Sequence, residues 1–150
     1  MPLSDAPYDR KFNASAECWS LFGEVLAAEF ENAVLFGQVH QLTVDTYAVQ
    51  HAGGAHPDKS VCIHLVGLYL VLETGMAPID VPPRLQRLAR RRQWPHLDPP
   101  PERAALTIRD VMLGESPQEH AQRARAWAAQ VWRAWSVHHE VARALAKDSR

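Results

Sequence analysis

The chain is nearly without cysteine: Cys18 and Cys62 are the only two in 150 residues. One falls in an amphipathic stretch and the other in an apolar run, so no disulfide framework is expected. Stability has to come from a hydrophobic core, and a reducing cytoplasm is the expected location. A surplus of one charge is missing too. The formal net charge of −1 argues against nucleic-acid binding driven by electrostatics alone. The longest apolar run, Val61 to Leu72, is too short to span a bilayer and reads as a buried helix. The opening MPLSDAPYDRKFNAS holds two prolines and no apolar segment of a secretory signal. No internal repeat, nucleophile elbow, phosphate-cradling glycine loop or dinucleotide fingerprint is present.

What is there suits one globular domain. Hydrophobic residues make up 47% and charged residues 22%, enough to bury about two-thirds of the unfolded chain's surface. After an irregular arm over residues 1–14, Ser15 can cap a helix reaching Glu31, with Trp19, Phe22, Leu26 and Phe30 along one stripe and Glu17, Glu24, Glu29 and Glu31 on other faces. A second helix runs from about Ala33 to His51. Its β-forming residues make a strand the competing reading, but Leu35, Val39, Leu42, Thr46 and Val49 recur at 4-3-4-3 spacing, a core-facing helical seam. His40, Val44, Tyr47 and His51 fall on the opposite face. Ala52-Gly53-Gly54 ends the element.

Asp58 or Ser60 can cap a third helix to Glu73 or Thr74, apolar nearly all round and so central. Pro82-Pro83 opens a short basic helix. WPHLDPPP, residues 94–101, is a stiff extended segment expected to wrap the body. Thr107 can cap a single turn. Ser116-Pro117-Gln118-Glu119 resembles a capping box and starts the longest helix, to about Ala146. The sum is an all-α single-domain bundle of four to five main helices with a proline-rich wrapping segment.

Chemistry centres on His64, a titratable ring in an otherwise apolar run apart from the Tyr69 hydroxyl. Such a ring needs a partner, and Asp45 is the nearest candidate in kind. As a catalytic set, Asp45 would orient His64 as general base, with Tyr47 as a donor. As a metal site, His40, His64 and His138 would ligate zinc, iron or nickel, with Asp45 a ligand or a support. The spacing offers no HxxxH, HExxH or ExxH pair. A third reading makes the His–Asp pair purely structural.

His51, Gln50 and Trp135 are candidate ligand-binding residues. Trp127, Trp132, Trp135, His138 and His139 could line a pocket for a planar ligand, even a haem with His138 as axial ligand, or simply form core. Arg84, Arg87, Arg90, Arg91 and Arg92 could bind a phosphate, an anionic lipid surface or RNA, or could be a solvated face. Cys62 and His64 are two apart on a helix and diverge, which argues against a Cys–His nucleophile. The expected function is a small helical domain binding a metal or small ligand through its His/Asp core, with or without catalysis. The rival is a non-enzymatic interaction module, using the face of His40, Val44, Tyr47 and His51 or the arginine helix.

The stretches HQLTVDTYAVQH, KSVCIHLVGLYLVLE, PPPERAALTIRDV and WAAQVWRAWSVHH resemble an uncharacterised bacterial family, a domain of unknown function with LxVDxYxxQH and KSxxxHLxGLxxxLE motifs and a Trp-rich terminal helix. The resemblance covers roughly residues 15–145 and implies no activity. It points at Asp45, Tyr47, Gln50, His51, Ser60, His64 and Glu73. Relatives begin with a paired-cysteine segment that implies zinc; here only Cys18 stands there. A more distant similarity is to metal-dependent helical-bundle hydrolases and transferases that use three histidines, whose paired-histidine spacing this chain lacks.

Overall fold

A computed structural model describes residues 14–150, which form seven α-helices, with no strand among the described residues. The irregular arm expected over residues 1–14 lies, but for Ala14, outside them. Four helix starts follow from local chemistry. Ser15 accepts the Cys18 N–H at the start of α1, Ala16–Phe30, and Asn32 accepts the Leu35 N–H at the start of α2, Ala33–Gln50. Thr107 and Asp110 close a capping box on the single turn α5, Ile108–Met112. Ser116 accepts the Glu119 N–H at the start of α6, Pro117–Ala134. Each satisfies donors that a helix start leaves open.

α2 is a helix, and its seam of Leu35, Val39, Leu42, Thr46 and Val49 is buried. From Val39 onward the other faces are buried or half-buried as well, because α2 packs against α1, α3 and α6, while Ala33, Val34 and Gln38 stay exposed. Tyr47, expected on an open face, is fully buried and stacks on Phe22 of α1 at 3.9 Å. Of that face, Tyr47 is core, while His40, Val44 and His51 are half-buried.

α1 is rotated from its expected register. Phe30 is 66% exposed, while Phe22, Val25 and Glu29 turn inward. The apolar stripe loses to a row that ends in a carboxylate, because Glu29 finds donors inside the bundle.

Pro57 occupies the cap position of α3, Asp58–Leu72, with no side-chain cap; Asp58 and Ser60, expected as caps, lie inside the first turn. At the far end Gly75 has a φ of 75°, which lets the Met76 N–H return to the Leu70 carbonyl at 3.0 Å. α4, Val81–Leu88, carries Pro82 and Pro83 in its first turn. The long last helix divides: the chain leaves α6 at Trp135 and resumes as α7, His139–Ala146. No glycine or proline marks the break. The His139 Nε2–H donates to the Trp132 carbonyl at 2.7 Å, and its ring stacks on Trp132 at 3.6 Å. A side chain thus serves a carbonyl that a continued helix would have used.

Residues 94–101 have no regular structure and strap the bundle. Leu97 is buried, the Cys62 thiol faces the Pro95 carbonyl, and the His138 Nε2–H donates to the Asp98 carbonyl at 2.8 Å. A second strap crosses the end of α2. The Gln50 amide donates to the Arg103 and Leu106 carbonyls and accepts the Trp127 indole N–H, and Arg103 donates to the Gln50 and Ala52 carbonyls. Between these anchors Ala104 is held at a φ of 90°, a conformation that costs a side-chain-bearing residue about 1 kcal/mol or more. Ala104→Gly should therefore raise stability by roughly 0.5–1 kcal/mol, read from the urea midpoint at unchanged slope.

Candidate functional site

The middle of α2 is polar on two sides. Its first polar cluster faces α1 and α6. Glu29 of α1 is fully buried, and its carboxylate meets His40 Nδ1 at 3.0 Å, Thr43 Oγ1 at 2.7 Å and His120 Nε2 at 2.8 Å. Burial pulls the Glu29 carboxyl upward, but the bonds from His120, His40 and Thr43 outweigh it and hold the group below its ordinary value of 4.5. Phe36 stacks on the His40 ring at 4.3 Å and Phe30 tilts against it at 4.7 Å. His120 also lines a cleft of about 400 Å³ with Leu35, Asn32 and Gly114.

The second cluster faces α3. His64 Nδ1 lies 2.7 Å from Asp45 Oδ1, which also accepts the Gln41 amide at 2.9 Å. Asp45 is fully buried. Burial pushes its carboxyl above the ordinary 3.8, and the bonds from His64 and Gln41 pull it back only in part. Gly67, one turn after His64, leaves the space that Asp45 occupies. A Cβ added there would lie 2.6 Å from Asp45 Cγ and closer still to Oδ2, so no larger residue fits beside this carboxylate.

With Asp45 ionised, the His64 proton sits on Nδ1 and Nε2 keeps its lone pair. Nε2 has no protein partner among the described residues. The ring, 18% exposed, lines a cleft of about 270 Å³ with Pro57, Lys59, Ser60 and Ile63. Ser60 Oγ in that cleft lies 2.8 Å from His56 Nε2. This is the orientation of a general base: a buried carboxylate behind the ring and open space in front.

Asp45 and His64 are thus brought together as the sequence predicts. Tyr47 is not, since it points the other way, into Phe22 and Trp19. His40, His64 and His138 do not converge; they rest on Glu29, Asp45 and the Asp98 carbonyl respectively. Zinc, iron or nickel does not fit that trio, and among the described residues no group of three or more His, Cys, Asp or Glu is placed to hold a metal ion. Gln50 is engaged within the protein by its strap. His51 bonds the Tyr47 carbonyl through Nδ1 at 2.9 Å, and burial lowers its pKa. Trp127, Trp132 and Trp135 are buried core. Burial pushes the Cys62 thiol up to about 11, which removes it as a nucleophile.

Periodicity on α1 hides Glu29, and with it the partners Thr43 and His120. The one signal was the row Phe22, Val25, Glu29, spaced 3 and 4. Gln41 and the His56–Ser60 bond carry no signature either.

These features define an all-α helical domain built around buried carboxylate–histidine pairs. The chain belongs to DUF5946, a family of unknown function whose model matches residues 5–136. No curated protein and no solved structure matches it. Among the described residues no helix is long and apolar enough to cross a membrane.

Three variants test the geometry. Gly67→Ala should destabilise by about 1–3 kcal/mol through overpacking and should break the Asp45–His64 bond, seen as a lower urea midpoint and a changed His64 ring spectrum. The two carboxylates should also show opposite pH dependence. Glu29 is depressed in the fold, so relative to Glu29→Gln the wild type gains stability up to the ordinary value of 4.5 and loses it as pH falls through the folded pKa. Asp45 is raised, so relative to Asp45→Asn the wild type loses stability as pH climbs from 3.8 to the folded pKa. Urea midpoints between about pH 3 and 7 read both signs.

Proposed function

We propose that this protein binds a small molecule at the cleft in front of His64 and that Asp45 and His64 act there as an acid–base pair. One observation carries the reading: His64 is held through Nδ1 by a fully buried carboxylate while the same ring borders open space. A carboxylate–histidine pair fixes tautomer and ring orientation, and general-base catalysis needs both. A ring serving only as core filler would be closed in on all sides.

The cleft limits the ligand. At about 270 Å³ it takes a small molecule or the end of a larger one. Lys59 and the Ser60 hydroxyl line it beside the ring, so an oxygen-rich ligand bearing a removable proton suits the donors present. His64 would take the proton on Nε2, Asp45 would hold Nδ1–H in place, and Gln41 would hold Asp45. Acid–base work of this kind asks nothing of His40 or His138.

Carbethoxylation by diethyl pyrocarbonate, mapped by mass spectrometry, reads the reactivity of each imidazole. His64 should react fastest among the buried and half-buried histidines, and Asp45→Asn should slow it severalfold as the tautomer is released. A small-fragment screen by NMR should move the signals of Lys59, Ser60, Ile63 and His64, and His64→Gln should abolish those shifts. Protection of His64 from the reagent, or fragments that bind equally well to His64→Gln, would remove the reading.

A further inference from the structure

A separate cleft of about 470 Å³ lies between the C-terminal ends of α3 and α7 and the middle of α4, lined by Tyr69, Thr74, Arg84, Arg143, Lys147 and Arg150. Four of these six side chains are cationic. Arg143 is paired, donating to both Glu73 carboxylate oxygens at 3.1 and 3.2 Å. The other three have no acidic partner among the described residues.

Arg84 is positioned. It is half-buried, and its Nε–H is held by the Ser149 carbonyl at 2.9 Å and by Ser149 Oγ at 3.1 Å. Ser149 is itself fully buried. The guanidinium is therefore anchored by one nitrogen, and its two terminal nitrogens donate to no protein acceptor. Arg87 on the same helix and Arg91, which lies beyond its end at Leu88 and not on its face as expected, are taken up by the Ser149 carbonyl and by Asp148. The basic face seen in the sequence thus divides: two arginines clasp the segment after α7, and the third borders the cleft.

Like charges gathered in a concavity within a Debye length, about 8–10 Å, repel one another. An anion bound among them removes that cost and gains charge-assisted hydrogen bonds. Arginine terminal nitrogens match the oxygens of a tetrahedral oxyanion, and a lysine adds a point charge. We propose that this cleft binds a phosphomonoester dianion, with the two terminal nitrogens of Arg84 as the forked donor, Lys147 as the added charge, and Arg143, whose fork is held by Glu73, adding its remaining terminal N–H. The Tyr69 ring forms the wall for the organic part. The volume admits a small phosphorylated molecule; the phosphate of a lipid headgroup has the same chemistry and is the other source.

The test uses the full chain and two probes. Inorganic phosphate is titrated calorimetrically at constant ionic strength, and phosphatidylcholine vesicles with and without phosphatidic acid are used for co-sedimentation. The variants are Lys147→Gln, the double Arg143→Gln/Lys147→Gln, and the control Arg90→Gln, an exposed arginine that does not line the cleft. Saturable single-site phosphate binding, weakened about tenfold or more in the double variant and unchanged in the control, is expected. Vesicle binding that needs both phosphatidic acid and Lys147 would assign the group to a lipid, and phosphate binding without it to a free ligand. Binding of neither probe, or equal loss in Arg90→Gln, would overturn the proposal. The single Lys147→Gln substitution, at an exposed residue, keeps the test decisive if the double variant is unstable.

Discussion

Two carboxylates without solvent, one on α1 and one on α2, are the constraint around which this bundle is arranged. A buried charge is tolerated only when donors surround it. Glu29 has three donors, drawn from α2 and α6. Asp45 has two, drawn from α2 and α3. Histidine–carboxylate contacts thus tie α1 and α3 to α2 directly, through His40 and His64, and tie α6 to α1 through His120, in addition to apolar packing. The apolar seam fixes how deeply α2 is buried, and the polar pairs fix its rotation. A turn of α2 by one residue would take His40 and Thr43 from Glu29 and His64 from Asp45, leaving each carboxylate with a single donor.

The two pairs differ in what they leave exposed. Glu29 sits below its ordinary pKa because its donors exceed the cost of burial, the mark of a satisfied structural anion. Asp45 sits above its ordinary pKa because its donors do not. Its second oxygen packs against Gly67 and has no donor among the described residues. Incomplete satisfaction beside a ring that borders a cleft is what the proposed acid–base role asks for, since charge must then be able to move. The cationic cleft between α3, α4 and α7 is a different surface, built from residues that take no part in either pair.

Local chemistry made much of the fold readable. Ser15, Thr107 and Ser116 cap where their types and spacing say they should, and the seam of α2 separated helix from strand. The Asp45–His64 pair was readable because a lone histidine in an apolar run has few ways to be satisfied. What escaped was set at long range. Glu29 and His120 are 91 residues apart, and no periodic pattern on α1 distinguishes a solvated glutamate from one clamped inside. The break at Trp135 escaped for a related reason: it is stabilised by the His139 ring on the Trp132 carbonyl, not by a glycine or proline. Tyr47 carries polar chemistry in its side chain but faces away from His64, and only the packing of α1 decides that.

The most direct test of this account is the tautomeric state of the histidine rings, read by long-range ¹⁵N–¹H correlation NMR at neutral pH. The account predicts His64 and His40 protonated on Nδ1 and His120 protonated on Nε2, with the His64 Nδ1 proton shifted downfield and its Nε2 bare. A His64 ring protonated on Nε2, or exchanging freely between tautomers, would contradict the claim that Asp45 holds it as a base facing the cleft.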